Sequence, residues 1–212
     1  MNGPVFRDRR DAGRRLSAAL DDYRDRDPLV IGLPRGGVVV AAEVAGSLGA
    51  DLDILVVRKL GAPGQPELGL GAIAEGGVLL LNKPLMRQVK VTRDQLQATI
   101  DAENEELKRR MDAYRGERLP VEVADRLVIL VDDGLATGGT VRAAAGALQH
   151  LGASELVLAV PVGSPSTVEQ LRPLFDSIIC LEAPPTFFAI GQFYEDFSQT
   201  TDDEVIELLA GE

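Results

Sequence analysis

The sequence predicts an α/β fold built on a parallel, doubly wound sheet, and three observations carry that prediction. Short apolar runs recur along the chain, at Leu29 to Leu33, Leu52 to Val57, Leu127 to Val131, Leu156 to Val160 and Ser177 to Leu181. Runs this continuous suit strands buried on both faces rather than strands with one wet side. Segments of helical period separate them, so strand and helix alternate as parallel sheets with right-handed crossovers require. Two of the runs pass directly into Gly-rich turns that open helices, Pro34-Arg35-Gly36-Gly37 and Thr137-Gly138-Gly139-Thr140.

Each element has a local reason. A first helix follows from Ala12, Leu16, Ala19, Leu20 and Tyr23 at helical spacing, with Arg7, Arg9, Arg10, Arg14 and Arg15 interleaved with Asp8 and Asp11 on what reads as a solvated face. Pro28 leads into the first strand, and an apolar helix covers about Val38 to Leu48. The stretch from Arg58 to Gly77 is long and rich in Gly and Pro, so it is either a lid over a site or a hairpin, and the lid is the preferred reading. Val78 to Leu81 is a further strand. A helical insertion spans about 84–115, where Thr92 with Gln95 makes a capping box and Leu96, Ile100, Leu107, Met111 and Tyr114 form one apolar stripe. Helices at about Thr140 to Leu151 and Ser166 to Leu171 complete the alternation. No internal repeat or low-complexity segment is visible.

Composition bounds the function. The 212 residues suffice for one α/β domain with a well-buried core. The net charge of −11 argues against a nucleic-acid partner, and no apolar run is long enough to span a bilayer. The first residues lack the apolar core of a secretory signal, and the lone Cys180 cannot form an internal disulfide, so a cytoplasmic location is expected. No His/Cys spacing suits zinc, and His150 reads as a surface or helix-end residue.

The chemistry concentrates after Leu127 to Val131. Asp132 and Asp133 emerge at the carboxyl end of that strand, where open α/β sheets bind ligands, and two carboxylates can accept hydrogen bonds from a vicinal diol. In Ala136-Thr137-Gly138-Gly139-Thr140 the glycines let backbone N–H groups curl around an anion at the positive end of the next helix. Diol acceptors beside a phosphate cradle match a ribose 5-phosphate. Arg35, Gly36 and Gly37 offer a second anion turn on the same edge, and Arg58-Lys59 closes the second strand with two cations, Lys59 the better placed. A Walker-type reading fails, because no Gly-x-x-x-x-Gly-Lys-Ser/Thr loop stands upstream.

The apolar strand, acidic pair and Thr-Gly-Gly-Thr loop together resemble the signature of the type I phosphoribosyltransferases, and the resemblance covers most of 28–198. The loop arrangement, Gly-Ala-Ile-Ala-Glu-Gly-Gly included, is most similar to uncharacterised bacterial members. The resemblance implies a flexible loop at about 58–77, a small hood at about 183–198, and binding of phosphoribosyl pyrophosphate (PRPP) with Mg2+. It further implies transfer of the phosphoribosyl group to a nitrogenous base, purine favoured, with a PRPP-sensing protein as the alternative, and a homodimer.

Residue by residue, Asp132 and Asp133 would orient the ribose and reach the metal through water. Ala136 to Thr140 would hold the 5-phosphate, and Arg35, Gly36, Gly37, Arg58 and Lys59 the pyrophosphate. On the analogy with adenine enzymes, Glu75 is a candidate general acid/base, with Glu67 as a second choice. Phe188 and Ala189 resemble the base-stacking hood of hypoxanthine-guanine enzymes, and Glu195 their metal-reaching acid. Ala136 stands as in adenine enzymes, while the base-reading lysine expected near Val162 to Ser164 is missing, so the acceptor base stays open.

Overall fold

The computed structural model describes residues 4–116 and 118–211, apart from the side chains of Pro66 and Glu67. In chain order it contains helix α1 (Arg9–Ala18), strand β1 (Leu29–Gly32), helix α2 (Gly36–Leu48) and strand β2 (Asp51–Ile54). Strands β3 (Val57–Ala62), β4 (Gln65–Ala74) and β5 (Val78–Leu81) follow, then helices α3 (Lys83–Gln88) and α4 (Arg93–Arg115). The second half holds β6 (Leu127–Val131), α5 (Gly139–His150), β7 (Glu155–Val162), α6 (Pro165–Leu171), β8 (Ser177–Glu182) and α7 (Asp202–Ala210).

Five strands form one parallel sheet in the order β2-β1-β6-β7-β8. Its residues alternate between two apolar layers: Leu29, Ile31, Val128, Leu130, Leu156 and Leu158 pack with α5 and α6, while Val30, Ile129, Val131, Val157 and Ala159 pack with α1 and α2. That two-sided burial is why these strands read as unbroken apolar runs.

The Gly/Pro stretch from Arg58 to Gly77, read above as a lid or a hairpin with the lid preferred, is mostly a β-hairpin in its backbone. β3 and β4 pair antiparallel, β5 adds a third strand, and the register slips at Leu60, Gly61 and Ala62. The small sheet packs on two helices. Leu60, Leu70 and Ile73 meet Leu107 and Tyr114 of α4, with Leu96, Ile100 and Met111 of the expected stripe at the margin. Its other face meets α5, where a Cβ on Gly146 would come 2.6 Å from Leu80 Cδ1, so glycine there admits close packing. The α4 capping box forms as expected, with Gln95 N donating to Thr92 Oγ1 at 3.2 Å and Thr92 N to Gln95 Oε1 at 3.0 Å.

Arg115, the last residue of α4, ties this helix to the main sheet. Its guanidinium, 6% exposed, lies 3.1 Å from Asp53 Oδ1 and pairs with Glu75 Oε2, and it donates to Ile54 O at 2.7 Å. Val121 N donates to Asp53 Oδ2 at 2.8 Å and Val56 N to Glu75 Oε1 at 2.7 Å, so both carboxylates are well supplied with donors. Burial nevertheless raises the Glu75 carboxyl above its ordinary value, against the pull of Arg115.

Removing the cation would strand two buried carboxylates. R115M is expected to lose about 3–5 kcal/mol of stability by denaturant unfolding at neutral pH. An acid whose folded-state pKa is raised costs stability once ionised, so the deficit should shrink as pH falls toward the unfolded value of 4.5.

Candidate active site

The candidate site lies where β1 and β6 run side by side, Gly32 opposite Val131. The chain leaves β1 for α2 on one face and β6 for α5 on the other, which opens a crevice at the carboxyl ends of the two strands. Leu33 N donates to Val131 O at 2.9 Å and extends the pairing to the crevice edge.

The two turns then touch. A Cβ on Gly36 would fall 2.0 Å from Asp133 Oδ2, and one on Gly37 would fall 2.8 Å from Val131 O and 2.9 Å from Asp132 Cα. Any side chain at either position would displace the acidic pair. The Arg35-Gly36-Gly37 turn and Asp132-Asp133 are therefore one contiguous surface. The Arg35 guanidinium is partly exposed, 3.9 Å from Asp202 Oδ1 at the start of α7.

Within the pair, Asp132 Oδ1 accepts from Asp133 N at 2.9 Å, and Asp133 Oδ2 accepts from Arg9 Nε at 2.7 Å. Among the described residues, Asp132 Oδ2 and Asp133 Oδ1 accept from no other residue. One oxygen on each carboxylate is thus available, the number a vicinal diol needs. Burial raises both carboxyls, that of Asp132 well above its ordinary value because the Asp133 charge adds to desolvation, while Arg9 draws Asp133 back down.

The signature loop is pinned on its outer side. Leu135 N donates to Val162 O and Ser164 N to Leu135 O, both at 2.8 Å, and Thr167 Oγ1 donates to Ala136 O at 2.6 Å. Gly138 has φ of +70°, and a Cβ there would lie 2.7 Å from Thr167 Cγ2, so glycine is required on both counts. At Gly139, by contrast, a Cβ would meet nothing within 4 Å, and Thr137, Gly139 and Thr140 are exposed. The inner face of the loop is open, with the start of α5 behind it. A cavity of about 550 Å3 separates this loop from the hairpin, and Lys59, Asn82 and Arg142 line it with Thr137 and Thr140. Lys59 therefore shares the phosphate-loop end of the crevice rather than the end near Arg35.

A hood closes the edge. Val5 N and Phe6 N donate to Phe193 O at 2.9 Å, Glu195 N to Phe6 O at 2.9 Å, and Asp196 N to Arg7 O at 2.8 Å, so residues before α1 strap it down. Tyr194 Oη donates to Asp133 O at 2.6 Å, and Ile190 crowds Gly134, where a Cβ would come 2.5 Å from Ile190 Cγ2. Phe193 and Tyr194 are buried, whereas Phe188 is 86% exposed and Ala189 is exposed beside it. Gln192 Oε1 accepts from both their amides, at 3.1 and 3.3 Å.

Three expected site residues stand elsewhere. Glu75 is engaged with Arg115 and Val56 in a buried cluster, apart from the acidic pair. Arg58 and Lys59 point to opposite sides of β3, as alternation requires, and Arg58 pairs with Glu103 of α4 at 2.6 Å. Glu195 is exposed, and among the described residues no cluster of three metal-binding groups forms, so it does not join the acidic pair. The Glu67 side chain lies outside the described residues. Conversely, Arg9 and Tyr194 touch Asp133 and were not singled out: Arg9 reads as one of several solvated arginines, and only the fold brings it across.

Two outcomes follow. D132N keeps the acceptor for Asp133 N and removes a charge that burial and Asp133 both oppose, so it should melt a few degrees higher at neutral pH, the scale of about 1 kcal/mol. That cost vanishes once the acid is protonated, so the gap should close as pH falls toward 3.8, as scanning calorimetry would record. G138A should lose about 1–2 kcal/mol through its left-handed backbone and Thr167, whereas G139A should melt like the parent protein.

A phosphoribosyl transferase domain model matches residues 7–198. The "Putative phosphoribosyl transferase Rv0571c" of Mycobacterium tuberculosis H37Rv is 45% identical over 205 residues, which cover 97% of this chain but 46% of that protein. The chain thus spans about half the length of that relative. An adenine phosphoribosyltransferase of M. tuberculosis CDC 1551 is 32% identical over 159 residues, 75% of this chain and 58% of that protein. Among solved structures, TT1426 from Thermus thermophilus superposes with a TM-score of 0.88 at 43% identity, over 97% of this chain and 98% of that one. With 192 consecutive residues matched by the domain model, on a fold and crevice of this shape, the chain belongs to the phosphoribosyl transferase domain family.

Proposed function

We propose that the chain transfers the phosphoribosyl group of PRPP to a nitrogenous base, releasing pyrophosphate. The observation that carries this is the pair of available carboxylate oxygens, on Asp132 and Asp133, between two anion-binding turns. In this reading the ribose hydroxyls lie on the two acids and the 5-phosphate lies on Ala136 to Thr140 at the positive end of α5, with Lys59 and Arg142 nearby. The pyrophosphate lies along Arg35, Gly36 and Gly37. The C1–O bond to pyrophosphate breaks, a bond from C1 to a base nitrogen forms with inversion, and the base nitrogen gives up its proton to the released pyrophosphate or to water. The residues act by orientation and by offsetting charge on the leaving group.

Mg2+ suits this site, because it needs only one or two carboxylates together with substrate oxygens. Asp132 and Asp133 would hold it through water, where it would supply charge to the departing pyrophosphate. Phe188, exposed on the hood and two residues from the Ile190 contact with Gly134, offers a face for a flat heterocycle. A purine acceptor is favoured by the resemblance to adenine enzymes. The family reading brings with it a homodimer, and the lone Cys180 suits a cytoplasmic setting. No helix among the described residues is long and apolar enough to cross a membrane.

One observation favours the second reading, a PRPP-sensing protein without catalysis: Glu75, the loop acid suited to proton transfer, is held in an ion pair with Arg115. Pyrophosphate release from PRPP and Mg2+ separates the two, with adenine, hypoxanthine, guanine, xanthine, uracil and orotate supplied singly. Release dependent on one base is expected and names the acceptor. Silence with all six, while calorimetry records PRPP binding, would favour the sensor. The D132N/D133N double variant should remain folded and lose PRPP binding; unchanged affinity would overturn the assignment of the site.

A further inference from the structure

Arg9 is the first residue of α1, and its position is set by the neighbouring cap, where Asp8 Oδ1 accepts from Asp11 N at 2.7 Å. From there its side chain crosses to the crevice and meets three groups at once. Nε donates to Asp133 Oδ2 at 2.7 Å, Nη1 donates to Ser198 O at 2.7 Å, and the guanidinium plane lies 3.9 Å from the centre of the Phe197 ring. Its side chain is 11% exposed and that of Asp133 13%. Among the described residues, no other lysine or arginine forms an ion pair with Asp132 or Asp133. Gly36 makes room for the contact, since a Cβ there would fall 2.6 Å from Arg9 Nε as well as on Asp133.

The consequence is directional. A carboxylate on a free χ2 can present either oxygen, but one whose Oδ2 is held by a buried guanidinium presents only Oδ1. Asp133 is fixed from the backbone side too, because Tyr194 Oη donates to its carbonyl. Both restraints come from elements that hold the hood. Ser198 and Phe197 anchor the guanidinium, and Tyr194 belongs to the strand-like bridge with Phe6.

We propose that Arg9 is a positioning residue for sugar recognition: by clamping Asp133 Oδ2 while anchored to the hood, it aims Oδ1 at the ribose 2-hydroxyl. The inference rests on the ribose-phosphate reading above. Arginine suits this place better than lysine, because its planar fork donates along fixed directions while stacking on an aromatic face.

The test is sugar discrimination, which a merely structural ion pair would not move. Titration calorimetry would compare ribose 5-phosphate, 2-deoxyribose 5-phosphate and inorganic phosphate on the parent chain, R9M and R9K, with Tm recorded for each. The parent chain should prefer the ribose compound about tenfold, the scale of one hydrogen bond to a charged group. R9M should lose most of that preference while its affinity for inorganic phosphate stays within about twofold. R9K, which keeps the charge but not the fork, should recover only part of the preference, and it carries the test if R9M does not fold. Full preference in both variants, whatever their Tm, would overturn the inference and leave the ribose site standing. A parent chain indifferent to the 2-hydroxyl would instead overturn the ribose site, and this inference with it.

Discussion

The architecture of the crevice depends on how closely the turn after β1 approaches the acidic pair after β6. Gly36 and Gly37 leave no room for a Cβ against Asp133, Asp132 and Val131 O. Because β1 and β6 are neighbours in register, the two turns are bound to meet at the same height above the sheet. The helices that follow depart to opposite faces, so each turn places the start of its own helix at the crevice. Backbone amides, glycine surfaces and carboxylates thus lie within one small area, without long side chains to arrange them.

That closeness has an electrostatic cost. Burial raises the proton affinity of both acids, the Asp133 charge raises that of Asp132 further, and an acidic chain supplies little general positive field to relieve them. Relief is local, from Arg9 beneath the turn. The second buried cluster, Asp53-Arg115-Glu75, differs in kind: its acids are saturated with backbone and guanidinium donors and have nothing left to offer a ligand. The contrast between saturated and half-satisfied carboxylates separates a structural ion network from a binding site more clearly than residue type does.

The main sheet and the two turns were legible in the sequence because their causes are local. Continuous apolar runs mark two-sided burial at β1, β6 and β7, and Thr92 with Gln95 marks the start of α4. The hairpin was legible only as the second of two readings, since Gly61, Gly69 and Gly71 look like loop residues and the packing that holds their strands comes from α4 and α5. Helix α7 was missed. The pairing of Glu75 was not legible because its partner Arg115 lies 40 positions away, nor that of Arg9 because its partner Asp133 lies 124 positions away. An arginine among alternating charges carries no local mark of burial.

The strap joins residues far apart in the sequence and so imposes an order on assembly. Arg9 Nη1 reaches Ser198 O across 189 positions, and Phe6 pairs with Tyr194. Strands β2, β1 and β6, the two turns and the acidic pair can form once the chain has grown past α5, but Tyr194 and Ser198, which anchor Asp133 and its Arg9 clamp, are made later. At about 5–20 residues per second, the interval between Asp133 and Ser198 leaves the nascent protein roughly 3–13 s with an unclamped carboxylate. Closing so long a loop also raises the contact order of this corner above that of the sheet beneath it. The crevice therefore gains its clamp only after β1 and β6 have paired, during synthesis and again whenever the strap detaches.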